Sequence, residues 1–263
     1  MVASDFRKEA REKLEGKWGK VALLTLVYFV FDLFVAYIMR HTLGFLNFVV
    51  SVLYYVVNIP IAYGLVMTFL KLFKGEDVGY FDCFTVGFDN FSRSWSVVWH
   101  TILKILVPVI LFVVSYVLIF SAVTVFAASY FSSYYRYGYT SASISGTGVA
   151  LLVVGIVLLI VSSIWLTVKS YYYSLSQLIA MENPEKTPKE AVEESRKLME
   201  QKRWKLFCLQ FSFIGWAILA VLTFGIGMLW LLPYMQFATI AFYKNALGSK
   251  EAVVQEPVQN TEE

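Results

Sequence analysis

Between Arg203 and Leu247 the chain reads Arg-Trp-Lys, then an uncharged apolar run Leu206–Phe224, a break at Gly225-Ile226-Gly227, and a second uncharged run Met228–Tyr243. At about 1.5 Å rise per residue the first run matches a bilayer hydrocarbon core of ~30 Å; the second is short but adequate with interfacial anchors. The two glycines relieve backbone restriction where the chain must reverse. This pattern is a transmembrane helical hairpin, and the rest of the chain repeats its plan. With 58% apolar and 16% charged residues and a mean hydropathy of +0.63, a soluble globular class is excluded. The first 20 residues are polar and the apolar run after them is too long for a signal-peptide core, so no cleaved signal is expected.

Taken in order, Ser4–Lys20 carries Phe6, Ala10 and Leu14 on one side of a short charged helix, which can lie on a membrane surface with that side down. The alternative is a solvated helix that merely precedes the first span, 21–39, which contains Asp32. The second span, 43–73, is overlong and has Asn58-Ile59-Pro60 at its middle, where a kink is expected. Residues 74–94 are polar with an aromatic series, Tyr80, Phe81, Phe84, Phe88 and Phe91, suited to a second interfacial helix. The third span has its core at 105–128, and a Ser/Tyr/Gly-rich loop over 129–147 follows. The fourth runs over 149–169 and extends to 181, with Lys169 inside it. Thr187-Pro188-Lys189-Glu190 has the form of a capped helix start, and Ala191, Val192, Ser195, Leu198 and Met199 form one apolar side after it. The fifth and sixth spans are 206–224 and 228–243, and the polar tail 248–263 is expected to be disordered. The fold class is therefore all-α: six transmembrane helices as three hairpins with amphipathic surface helices, in a single membrane domain over 1–247.

Basic residues orient this arrangement. With six spans, every lysine and arginine except Arg40 and Arg136 falls on one side, which the positive-inside rule makes cytoplasmic, together with both termini. An odd number of spans would break that segregation. Each odd-numbered span is also preceded by a basic residue and a tryptophan: Lys17-Trp18, Arg93-Ser94-Trp95 and Arg203-Trp204. These read either as an internal repeat of surface helix plus hairpin or as ordinary interfacial anchoring, with Trp18, Trp95, Trp204, Arg203 and Lys205 as the anchors.

Trp204-Lys205-Leu206-Phe207, Ser212-Phe213-Ile214-Gly215-Trp216, Leu222-Thr223-Phe224-Gly225-Ile226-Gly227, Leu229-Trp230, Pro233-Tyr234 and Phe242-Tyr243 resemble the end of a bacterial integral membrane family. That family is catalogued as domain of unknown function 975. Similarity recurs at Ala10, Leu14, Gly16, Trp18-Gly19, Lys169, Tyr171 and Glu182-Asn183-Pro184, so it covers nearly the whole chain. The sequence departs from the family at Trp165-Leu166, where Pro-Gly is expected, so the resemblance carries no kink into the fourth span. It implies a multi-pass membrane protein of the cell membrane and carries no established activity or functional residues.

Catalytic constellations do not emerge from the residues. His41 and His100 fall at different depths or sides, and Cys83 and Cys208 have no zinc spacing, so no metal site and no cofactor are expected. Gly146-Thr147-Gly148 lacks the strand and the further glycine of a dinucleotide site. Basic residues are interleaved with acids, which argues against nucleic acid and for anionic lipid headgroups against the helix ends. Asp32 and Lys169 are the charges that need an explanation, since a charge in mid-bilayer costs at least about 2.5–3.5 kcal/mol on insertion scales. Either they approach one another and mark a polar pocket, or Lys169 snorkels to the interface while Asp32 is protonated or bonded to a neighbouring hydroxyl. The expectation is a non-enzymatic, lipid-associated or scaffolding membrane component, with a carrier built around Asp32 and Lys169 as the alternative.

Overall fold

The computed structural model describes the backbone of residues 2–137 and 146–255, and their side chains apart from 133, 136, 137 and 249–255. The described residues form eleven helices and no strand. Five segments are long and apolar enough to cross a membrane: Trp18–His41, Gly44–Lys74, Phe91–Ser132, Gly146–Glu182 and Arg203–Leu222. The expected sixth run, from Met228, does not reach that apolarity. Much of it is enclosed by protein instead. The chain divides into two units, Met1–His100 with Tyr171–Glu263, and Thr101–Ser170.

In the first unit, burial is confined to one part of each long helix. Helix α2 (Trp18–His41) buries Val21, Ala22 and Leu24 at its start, and then exposes Leu26, Val30, Leu33 and Phe34. Helix α3 (Gly44–Lys74) does the reverse, exposing Phe45, Leu46, Phe48 and Leu53 and burying Ile61, Tyr63, Phe69, Leu70 and Leu72. Helix α11 (Met228–Gln255) exposes Trp230 and Leu232 and buries almost everything from Phe237 to Ala246. One composition thus serves two surroundings. The buried parts are closed by protein, and the exposed apolar parts are far too extensive for water.

Three short helices close the buried part. Helix α1 (Ala3–Leu14) lays Phe6, Ala10 and Leu14 against α11, with the Phe6 and Phe242 rings edge to face at 5.4 Å. The stripe expected to lie on the bilayer therefore faces protein, where complete enclosure of Phe6 and Leu14 contributes about 1.5–3 kcal/mol each. Helix α4 (Asp82–Asp89) packs on α3 through two glycines. A Cβ on Gly64 would collide with the carbonyl of Cys83, and one on Gly87 would lie 2.5 Å from that of Pro60. Phe88 within α4 and the flanking Tyr80, Phe81 and Phe91 are exposed. Helix α8 (Pro188–Met199) starts with the expected reciprocal cap, the Glu190 amide donating to Thr187 Oγ1 and the Thr187 amide to the Glu190 carboxylate. It buries Ala191, Val192, Ser195, Leu198 and Met199 and packs on α7 (Ser176–Glu182).

The second unit contains most of α5 (Phe91–Tyr137) and of α6 (Gly146–Tyr172). They meet over small residues: a Cβ on Gly155 would lie 2.8 Å from Ile119 and one on Gly148 3.0 Å from Phe126, with Ser115, Ala122 and Ser162 buried.

Several boundaries move. The fourth apolar stretch is interrupted by a turn at 173–175, so α6 ends one turn after Lys169. The fifth is broken at Ser212-Phe213 into α9 (Arg203–Phe211) and α10 (Ile214–Leu222). Helix α11 continues through 248–255, the first half of the expected tail; 256–263 lie outside the described residues, as do 138–145 of the expected loop. The reversal at Gly225-Ile226-Gly227 is where the sequence puts it.

Candidate functional site

Three features of the first unit bear on function, and the first is a recurring basic contact. Lys17 Nζ donates to the carbonyl of Leu72 at 2.9 Å, near the end of α3. Arg93 donates from Nε and Nη2 to the carbonyl of Ala180 in α7, and further to the carbonyls of Asn183, Pro184 and Lys186, at 2.8–3.1 Å. Lys202 Nζ donates to the carbonyl of Ala246 in α11 at 2.7 Å. A cation before each odd-numbered apolar run thus reaches carbonyls at the far end of an even-numbered one; Leu72 and Ala180 belong to the last turns of α3 and α7, where the dipole favours positive charge. Those ends also meet at Glu182, whose Oε1 lies 2.8 Å from Lys74 Nζ and 2.6 Å from Lys244 Nζ.

The second feature is a polar cluster on the exposed half of the α2–α3 pair. Tyr54 Oη donates to Asp32 Oδ1 at 3.1 Å, Asn58 Nδ2 donates to the same oxygen at 3.0 Å, and Asn58 Nδ2 also donates to Tyr28 Oη at 3.1 Å. Tyr28 and Asp32 are four residues apart on one helix, and Tyr54 and Asn58 four apart on the next, so each pair shares a side. Asp32 thus takes hydrogen bonds from its own hairpin, the hydroxyl-bonded alternative for this residue. Lys169 belongs to the other unit, half-buried in the last turn of α6, where a lysine suits the helix dipole.

The third feature is a groove of about 350 Å³ walled by Trp18, Trp216, Leu219, Trp230 and Tyr234, with Arg11 on its rim. The Trp18 and Tyr234 rings meet edge to face at 6.0 Å, and Phe213 meets Tyr234 likewise at 5.0 Å. Tyr234 Oη donates to the carbonyl of Arg7 at 3.3 Å, which brings the Arg7 turn of α1 to the same end. Arg7 and Arg11 share a side of α1, and the Arg7 Nε is buried without a hydrogen-bond partner. A buried guanidinium N–H left unpaired costs free energy that an anionic oxygen would recover.

The five expected anchors therefore part company. Trp18 lines the groove. Trp95 donates its indole N–H at 3.1 Å to the carbonyl of Val56, the acceptor left free because Pro60 has no N–H. Arg203 lies over the Tyr172 ring at 4.0 Å, and Trp204 and Lys205 remain exposed. Sequence reading missed Tyr54 and Asn58, for which the i, i+4 spacing was a usable signal. It also missed Arg7, Trp216, Trp230 and Tyr234, whose convergence depends on α1 packing against α11.

An all-helical chain with several helices long and apolar enough to cross a membrane, and with polar and basic groups gathered where those helices end, defines the class. Within that class the chain belongs to the family described as Protein of unknown function (DUF975), which matches residues 1–250. No curated protein and no solved structure gives a significant match.

Proposed function

We propose that this is a non-enzymatic, lipid-associated protein of the cell membrane, with both ends of the chain on the basic, cytoplasmic side, and that its groove holds one anionic amphiphile. The observation that carries the reading is the groove itself: tryptophan and tyrosine walls fit an acyl chain, while Arg11 in its lining, with Arg7 one turn earlier on the same side of α1, fits a phosphate. Each arginine near an anionic headgroup contributes about 1 kcal/mol, so losing both weakens retention about tenfold or more. The test is native mass spectrometry of the full chain released from lipid discs containing equal phosphatidylglycerol and phosphatidylcholine. Selective carry-over of phosphatidylglycerol, lost in Arg7→Gln/Arg11→Gln, is expected. Equal carry-over of both lipids, or selectivity that survives the double substitution, overturns the reading; a recurrent protein partner in place of lipid moves the case to scaffolding.

A second reading, a carrier with a polar intramembrane site, is favoured by the Asp32–Tyr54–Asn58 cluster. A small polar solute that co-purifies with the protein and is lost in Asp32→Asn would support it. A solute retained at the parent level in Asp32→Asn would overturn it.

A further inference from the structure

Segregation of basic residues calls for an even number of crossings, yet among the described residues five segments qualify. We infer that the last hairpin, Phe211–Leu232, does not cross the bilayer but enters and leaves the leaflet on the side that carries the chain's ends, with Phe224 at its deepest point. This stands independently of what the groove binds.

Depth is the first ground. Trp18, Trp216, Trp230 and Tyr234 line one groove together with Arg11, the residue types of an aromatic belt at the water boundary. From Trp216 to Phe224 is eight residues, about 12 Å of helix, and the return from Phe224 to Trp230 is six. Half of a ~30 Å hydrocarbon core is as far as that reaches. By the same measure Trp18 to His41 covers about 34 Å, a full crossing. Beyond Leu232, α11 is occupied by protein contacts and offers no further lipid-facing length.

The chemistry of the tip is the second ground. The turn between α2 and α3 carries Arg40, His41 and Thr42, and the sequence over 129–147 carries Arg136 among serines and tyrosines; both suit water. The tip Leu222–Leu229 has no charged residue, and Leu222, Phe224 and Ile226 are exposed, Phe224 at 99%. Its backbone donors are nonetheless satisfied internally. The amides of Thr223, Phe224, Gly225, Ile226, Met228 and Leu229 donate to the carbonyls of Leu219, Val221, Ala220, Thr223, Gly225 and Ile226, and that of Gly227 to Thr223 Oγ1 at 2.9 Å. A loop in water has no need of such closure, whereas hydrocarbon requires it. Phe224 itself sits at φ +53°, a left-handed conformation that a water-facing turn would give to Gly or Asn.

Impermeant maleimide labelling of full-length Phe224→Cys in a Cys208→Ser background, in membrane vesicles of both orientations, tests this. Thr42→Cys serves as the marker of the opposite face, and Ile226→Cys is a second probe should the Phe224 variant fold poorly. Thr42→Cys is expected to label from the opposite face, and residues 224 and 226 from neither face until the membrane is dissolved. A nitroxide at 224 is then expected to be relaxed by oxygen and not by an aqueous nickel chelate, at a depth within the near leaflet. Labelling of 224 or 226 from the face that labels Thr42→Cys would establish a full crossing and overturn the inference. Labelling from the near face would place the hairpin in water and overturn it equally.

Discussion

Arg93 is the residue on which most backbone contacts converge. One guanidinium serves four carbonyls beyond and within the end of α7, a fork geometry that a lysine ammonium, a compact point charge on a flexible stem, does not reproduce. Arg93→Lys keeps the charge and loses most of those bonds, so we expect it to cost about 2 kcal/mol and to lower the thermal midpoint in detergent. A variant as stable as the parent would mean that charge alone holds this end. Cys83 makes a contrasting case. It is fully buried between α4 and α3, and burial pushes its thiol up to about 11. A raised pKa keeps the neutral form until the pH passes that value, so about one thiol in a thousand is ionised at pH 8. Maleimide at pH 8 should therefore modify Cys208 alone in the native protein and both cysteines after denaturation. Peptide mass mapping that finds Cys83 labelled in the native protein would show that α4 lifts from α3.

At the scale of the element, α4 is held by close backbone approach more than by side chains. Gly87→Leu has to move the helix away from Pro60, and neither neighbouring backbone is a flexible side-chain end that can yield. We expect about 3 kcal/mol of destabilisation or more, the upper end for overpacking, read as loss of the monodisperse peak in detergent; Gly19→Ala, with open space at its Cβ, should be neutral. How far the elements could be read from the sequence follows from which forces are local. The cap of α8 and its apolar side were legible because Thr187, Glu190 and the i, i+3, i+4 series lie within a few residues of one another. The stripe of α1 was equally legible, but not what covers it, since bilayer and protein select the same side chains and only packing on α11 decides. The same ambiguity hid the division of α3 and α11 into exposed and enclosed parts. The breaks at 173–175 and 212–213 carry no proline or glycine, so no residue type marks them.

For the whole molecule, the question is what joins segments far apart in the chain. Glu182 accepts from Lys74, the last residue of α3, and from Lys244 in α11, and its side chain is only 10% exposed while the lysines are partly solvated. A lone carboxylate there would be costly, and two facing cations without it would repel; each arrangement is worse than the three together. Glu182→Gln should therefore cost about 1.5–3 kcal/mol, the range for hydrogen bonds to charged groups. Glu182→Lys should cost more, because it places three like charges together. Exchanging the charges in Glu182→Lys/Lys244→Glu restores one attractive pair with Lys244's replacement, and should recover a good part of that loss. The cycle of Glu182→Lys, Lys244→Glu, the double variant and the parent, measured as unfolding midpoints in one detergent, isolates the coupling. Recovery in the double variant would show that the helix ends are held together by this charge contact. Additive losses would mean that the packing of Phe69 and Phe73 on Phe237 between the same two helices suffices, leaving Glu182 a passenger of the apolar core.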